Sequence, residues 1–121
     1  MDTIYRVQDR HGRGPWKPGF SHRWVEDRTD HNNLLSWVME FGRVDQNLLT
    51  GESSGSGCRT IDQLRRWFTE SEYETLKKYG YRAVKMTVNR VLAESDIQLF
   101  FGRAKRLKKD VVPFCLYKDL G

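Results

Sequence analysis

The segment Glu94-Ser95-Asp96-Ile97-Gln98-Leu99-Phe100-Phe101 runs side chains able to contact a ligand directly into an apolar stretch. Read as a strand, it puts Asp96 and Gln98 on one face and Ile97 and Leu99 on the other, so that one side packs while the other faces a cleft. Those residue types describe a site without naming its reaction. A second candidate is the loop Gly12-Arg13-Gly14-Pro15-Trp16-Lys17-Pro18-Gly19, which combines cations, an indole and permissive glycines. Arg13 and Lys17 could meet phosphates there, while Trp16 either stacks on a base or packs against the sheet.

The familiar catalytic patterns are absent from the sequence: no Gly-x-Ser-x-Gly elbow, no Walker loop, no His-Glu-x-x-His and no Rossmann fingerprint. His11, His22 and His31 lie in polar stretches without an i,i+4 relation, and read as surface residues rather than metal ligands. No metal site is expected. Cys58 follows a glycine-rich run and would be reactive if a helix N-terminus lowered its pKa, but the sequence offers it no identifiable base. Trp24, Trp37 and Trp67 read as core.

These residues must be positioned by a chain of 121 residues, 38% apolar and 12% aromatic, enough for one hydrophobic core without a stapling metal. One domain over residues 1–121 is expected. Cys58 and Cys115 are far apart and match no ligand spacing, and no leading apolar stretch reads as a signal peptide, which favours a reduced cytoplasm. No run approaches the roughly 18 apolar residues that cross a bilayer, so no membrane partner is expected. The net charge of +5 favours an acidic partner. Its cations gather in Arg10-His11-Gly12-Arg13 and in Arg103-Ala104-Lys105-Arg106-Leu107-Lys108-Lys109, either as a solubilising surface or as contacts.

Thr3 to Gln8 alternates, with Ile4 and Arg6 on one face and Tyr5 and Val7 on the other, and predicts an opening strand. Residues 9–21 carry every mark of a loop. Asp30 or Asn32 would cap a helix whose apolar face is Leu34, Leu35, Val38 and Met39, ending near Gly42. The run from Thr50 to Gly57 is too polar to order itself and predicts a flexible internal loop. Thr60-Ile61-Asp62-Gln63 and Thr69-Glu70-Ser71-Glu72 both fit the capping box. The first helix presents Ile61, Leu64 and Trp67 or Phe68 to the core; the second uses Tyr73 and Leu76 and stops at Gly80. Strands then follow at Tyr81 to Val88, Ile97 to Phe101 and Val111 to Tyr117, with Asn89 to Glu94 turning the chain. The order predicts an α+β domain with a mostly antiparallel sheet and about three helices. The Val111 to Tyr117 edge could pair with its own copy, leaving the oligomeric state open.

Tyr5-Arg6, the Gly-Arg-Gly-Pro loop to Gly19-Phe20-Ser21, the helix Ile61 to Phe68, Gly80-Tyr81-Arg82 and Ile97-Gln98-Leu99-Phe100 together resemble small proteins of bacteriophages and prophages. That resemblance covers most of the chain and implies phage origin. A fainter one is to the ADP-ribosyltransferase fold, in which a first-strand Arg or His holds NAD, a second-strand Ser or Thr supports it and a late-strand Glu polarises the nicotinamide ribose. It implies the first role for Arg6, with Ser21 and Asp96 as further ligand candidates and Gln98 at the late-strand position. An amide there lacks the negative charge that stabilises an oxocarbenium-like transition state, so nucleotide binding without efficient transfer is at least as well implied as catalysis.

Charge and phage resemblance together point first to an accessory protein that binds a host macromolecule, such as a bacterial defence complex of the CRISPR kind or its nucleic acid. Arg103, Lys105, Arg106, Lys108 and Lys109 would supply long-range attraction, and Arg10, Arg13, Trp16 and Lys17 the shape-specific contacts. No cofactor is needed for this. An NAD-binding ADP-ribosyltransferase-like domain and a nonspecific nucleic-acid binder are the alternatives.

Overall fold

The computed structural model describes residues 1–28, 34–104 and 110–117. Among them are six strands, β1 (Asp2–Gln8), β2 (Glu52–Gly57), β3 (Arg82–Val88), β4 (Arg90–Glu94), β5 (Leu99–Ala104) and β6 (Val111–Phe114), and three helices, α1 (Trp37–Phe41), α2 (Ile61–Trp67) and α3 (Glu70–Lys78). The fold is α+β, as the element order implies. The strands form two antiparallel three-stranded sheets, ordered β1-β3-β6 and β2-β5-β4. A single bridge stitches them, since Tyr5 and Cys58 exchange N–H···O bonds of 2.8 Å in both directions.

Sequence pattern explains much of this. Alternation in β1 sends Ile4 between the sheets with Val84, Met86, Val88, Leu99 and Phe101, and Val7 toward α2 and α3 with Leu64, Trp67, Phe68, Tyr73 and Leu76. Both capping boxes form: Gln63 N–H donates to Thr60 Oγ1 and Thr60 N–H to Gln63 Oε1, and Thr69 and Glu72 repeat the exchange. After α3, Gly80 has φ +89°, the left-handed backbone that ends a helix cheaply only at glycine.

Four expectations are corrected. Residues 52–57 are not a flexible loop but the strand β2, paired along its whole length with β5. Their small side chains reflect close approach: a Cβ at Gly57 would stand 2.8 Å from Ile4 Cδ1, and one at Gly55 would stand 2.3 Å from Arg6 Nη1. Residues 90–94 are a strand, bulged between Val91 and Ala93, rather than a turn. Its start is fixed by Arg90, whose Nε and Nη2 donate to the Glu52 carboxylate at 3.1 and 3.0 Å. With the Leu49 N–H as a further donor, these bonds hold the Glu52 carboxyl below its usual range.

The third correction is the last part of the signature segment. β5 begins only at Leu99, because Ser95 Oγ accepts the N–H groups of Ile97 and Gln98 and Ser95 N–H donates to Gln98 O, closing a turn. Asp96 and Gln98 therefore do not share a strand face. The fourth is α1, which is short and capped by Ser36 rather than starting further back; Asp30 and Asn32 lie outside the described residues. Of the expected apolar face, Met39 and Leu35 are exposed, while Leu34, ahead of the helix, packs against the core.

Candidate functional site

Arg6 is a cation on the same strand face as the fully buried Ile4, and it is only 8% exposed. Its guanidinium lies 5.4 Å from the centre of the Phe101 ring. It is pinched between two glycines: a Cβ at Gly14 would meet Nη2 at 3.1 Å, and one at Gly55 would overlap Nη1. Its Nε finds no hydrogen-bond partner. Burial pulls its pKa down to about 10, with Asp9 opposing and Arg103 adding to the effect.

Asp9 does not pair with it because its carboxylate is committed to the loop. Asp9 Oδ1 accepts from the N–H groups of His11 and Arg13, both at 2.9 Å. Burial works against the Asp9 carboxylate, but these backbone donors outweigh it and hold its pKa below the ordinary value. The turn closes through Gly12, at φ +81°. Past it, Trp24 Nε1 donates to Pro15 O, and Trp16 packs against Trp24 with ring centres 4.6 Å apart. Trp16 stays 46% exposed. It is thus both packed and available.

Arg6 and this loop open onto a cavity of about 660 Å³, within the range of small-molecule sites. Ser54 and Ser56 of β2 line it, as do Trp16, Trp37 and Gln98. Gln98, 4% exposed, is held by two bonds from its Nε2, to Leu35 O at 2.7 Å and to Glu40 Oε1 at 2.9 Å. Both amide hydrogens are consumed by these partners, so only the carbonyl oxygen is left to meet a ligand. The turn beneath it is pinned by α2: Trp67 Nε1 donates to Ile97 O and Gln63 Nε2 to Asp96 O. No carboxylate lines the cavity among the described residues.

Arg6 and Gln98 therefore meet at one hollow, while Ser21 and Asp96 lie away from it. Ser21 caps a short turn through its bond to Lys17 O, and the Asp96 side chain is exposed. Glu94 is tied to Arg59, which also grips Asp2; the Arg59 hydrogen bonds hold the Glu94 carboxyl low. Ser54 and Ser56 were hidden by their resemblance to a linker. The signal that could have found them is Arg6 itself, since a guanidinium on a packed strand needs small residues opposite.

Arg10, Arg13 and Lys17 are exposed, as contact residues would be. Arg103 is not: it is 6% exposed, with Nε donating to Thr87 O and Nη2 to Asp110 O. The alternation of β5 puts it on the Leu99 and Phe101 face, away from any surface patch. Lys105, Arg106, Lys108 and Lys109 lie outside the described residues, as does His31. Cys58 is buried and its thiol is pushed up to about 12 by burial, which removes it as a nucleophile. Among the described residues, no group of His, Cys, Asp and Glu could hold a metal ion. No helix among them is long and apolar enough to cross a membrane.

Fold and cleft together define a small antiparallel α+β protein with a ligand-sized hollow built around a buried cation. Residues 1–114 match the model of the family described as Bacteriophage T4 Y00F protein, and the chain belongs to that phage protein family. No curated protein and no solved structure matches it.

Proposed function

We propose that the hollow binds a nucleotide of the NAD class and that the protein is an ADP-ribosyltransferase-like binding domain with little or no transferase activity. The observation that carries this is the Arg6 guanidinium, buried at the cavity wall with no partner for its Nε. Buried charges ordinarily meet a counter-charge, and a ligand phosphate would supply one through the guanidinium fork. The ADP-ribosyltransferase resemblance assigns a first-strand Arg, a second-strand Ser and a late-strand residue to one site. Here Arg6 on β1, Ser54 and Ser56 on β2, and Gln98 just ahead of β5 line one cavity.

Gln98 offers its carbonyl as an acceptor for a ribose hydroxyl. The carboxylate of Glu40 on its amide polarises that carbonyl toward the ligand. With no carboxylate at the cavity wall among the described residues, a developing positive charge on the ribose is not stabilised there, and transfer is slow. Trp16 and Trp37 supply stacking faces for the bases.

Titration with NAD and with ADP-ribose in a thermal-shift assay tests the reading. A ligand at a hundredfold excess over Kd stabilises by about 2.7 kcal/mol, a readily measured shift. Absence of stabilisation by either compound at millimolar concentration would overturn it.

Phage-family membership and the exposed Arg10, Arg13 and Lys17 of one loop support a second reading, in which this loop meets a host macromolecule such as a defence complex of the CRISPR kind. Capture of that partner should fall with Arg13→Glu and Lys17→Glu together, most strongly at low salt. Capture that is indifferent to both substitutions and to salt would remove it.

A further inference from the structure

Among the described residues the larger cavity is lined by two cations, Arg6 and Arg13. They differ in kind. Arg6 is buried, whereas Arg13 is exposed and its hydrogen bonds run through the backbone: its N–H donates to Asp9 Oδ1 and its carbonyl accepts the Asp9 N–H, both at 2.9 Å. The Arg13 guanidinium has no partner among the described residues. Its loop is closed at the base, since Asp9 Oδ1 also accepts the His11 N–H at 2.9 Å and Gly12 N–H donates to Asp9 O at 3.0 Å. The next residue, Gly14, stands against Arg6, where a Cβ would meet Nη2 at 3.1 Å. The backbone around Arg13 is therefore set by Asp9 before it and by the Arg6 side chain after it.

A diphosphate esterified at both ends carries one negative charge on each phosphate. Two arginines lining one cavity match that pair, each fork meeting one phosphate through charge-assisted bonds. A single phosphate is served by Arg6 alone, at the drier position where the attraction is stronger. Asp9 acts on such a ligand in two opposed ways. Its charge repels an anion, and it stands close enough to Arg6 to hold that guanidinium's pKa up against burial. Its hydrogen bonds, by contrast, hold the Arg13 backbone at the cavity.

We propose that Arg13 selects ligands with two linked phosphates and that Asp9 is the positioning residue that presents it. This rests on the nucleotide reading and deepens it. Arg6 anchors one phosphate and Arg13 meets the second, so that ADP-ribose and NAD are preferred over a nucleoside monophosphate.

The test is calorimetric titration of the full chain with ADP-ribose and with AMP, repeated for Arg13→Gln, Asp9→Asn and Asp9→Ala. Arg13→Gln changes an exposed side chain and should fold. It is expected to bind ADP-ribose about tenfold or more weakly, and AMP less than about threefold more weakly. Asp9→Asn keeps the acceptor oxygen without the charge and should bind ADP-ribose at least as tightly as the native chain. Asp9→Ala loses the acceptor and should bind it about fivefold more weakly. Charge alone would make both Asp9 variants bind more tightly, and a general loosening of the fold would weaken ADP-ribose and AMP alike. Asp9→Ala combined with Arg13→Gln should lose no more than Arg13→Gln alone. Native affinity of Arg13→Gln for ADP-ribose, an equal loss on AMP, or tighter binding by Asp9→Ala would each overturn the proposal and leave the nucleotide reading standing. If ADP-ribose does not bind the native chain, both fall.

Discussion

Arg6→Met is expected to give a protein that is more stable without ligand and that binds the nucleotide at least about a hundredfold more weakly. Methionine matches the length of the arginine stem and would lie among Ile4 and Phe101, beside the apolar layer between the sheets. What it removes is a guanidinium with 8% exposure and an Nε without a partner. Apolar replacement of buried charge commonly stabilises by roughly 1–4 kcal/mol, and a gain on the order of 2 kcal/mol is expected here. The sign with pH follows from Arg6 being a base whose pKa falls to about 10 on folding. Its charged form is favoured in the unfolded chain, so the penalty is fully present below that pKa and fades as pH rises through it. The stability difference should therefore be flat from roughly pH 5 to 9 and shrink above pH 10. Urea unfolding of both proteins across that range checks the claim. A destabilised Arg6→Met would mean that the guanidinium holds the fold together, and the case for Arg6 as an anion site would go with it.

That trade between stability and binding marks the part of the site legible in the sequence. Arg6 stands out because the alternation of β1 puts it beside Ile4 on an inward face, where a cation needs a reason. Gln98 stands out by its place ahead of an apolar run. The helices α2 and α3 were legible because a capping box is local chemistry, complete within four residues. β2 was not, because its glycines and serines are dictated by atoms distant in the chain. Composition alone cannot tell a strand thinned to admit Arg6 and Ile4 from a linker.

The same reasoning explains Arg103. Counted along the chain, it opens a run of cations; counted by strand period, it follows Leu99 and Phe101 onto the face between the sheets. Period-two alternation was the better guide, and it brings Arg103 and Arg6 to one end of the apolar layer. The turn at residues 95–98 was illegible for a different reason. Ser95 competes for the backbone donors of Ile97 and Gln98, a local choice that the apolar content of the segment masks.

The walls of the cavity depend on a residue well outside it, and the largest loss of stability is expected there. Glu72 is fully buried on α3. Its Oε1 accepts the Thr69 N–H at 2.9 Å, its Oε2 accepts the Glu26 N–H at 2.9 Å, and Arg28 Nε lies 3.7 Å from it. Glu72→Leu removes the reciprocal half of the capping box, leaving Thr69 N–H without its acceptor, deprives Glu26 N–H of its acceptor and takes this carboxylate from Arg28. Breaking such a buried network costs roughly 3–5 kcal/mol, a large share of the roughly 5–15 kcal/mol that holds a domain of this size. Calorimetric melting should show a drop of more than about 10 °C. Glu72→Gln keeps an acceptor for Thr69 and should lose less. The consequence reaches the site because the segment that Glu72 anchors continues from Trp24, whose indole holds Pro15 O and whose ring supports Trp16. In Glu72→Gln, which should still fold, affinity for ADP-ribose should therefore fall although residue 72 touches no part of the cavity. A Glu72→Leu protein that melts within a degree or two of the native chain would show that the loop is held by other contacts.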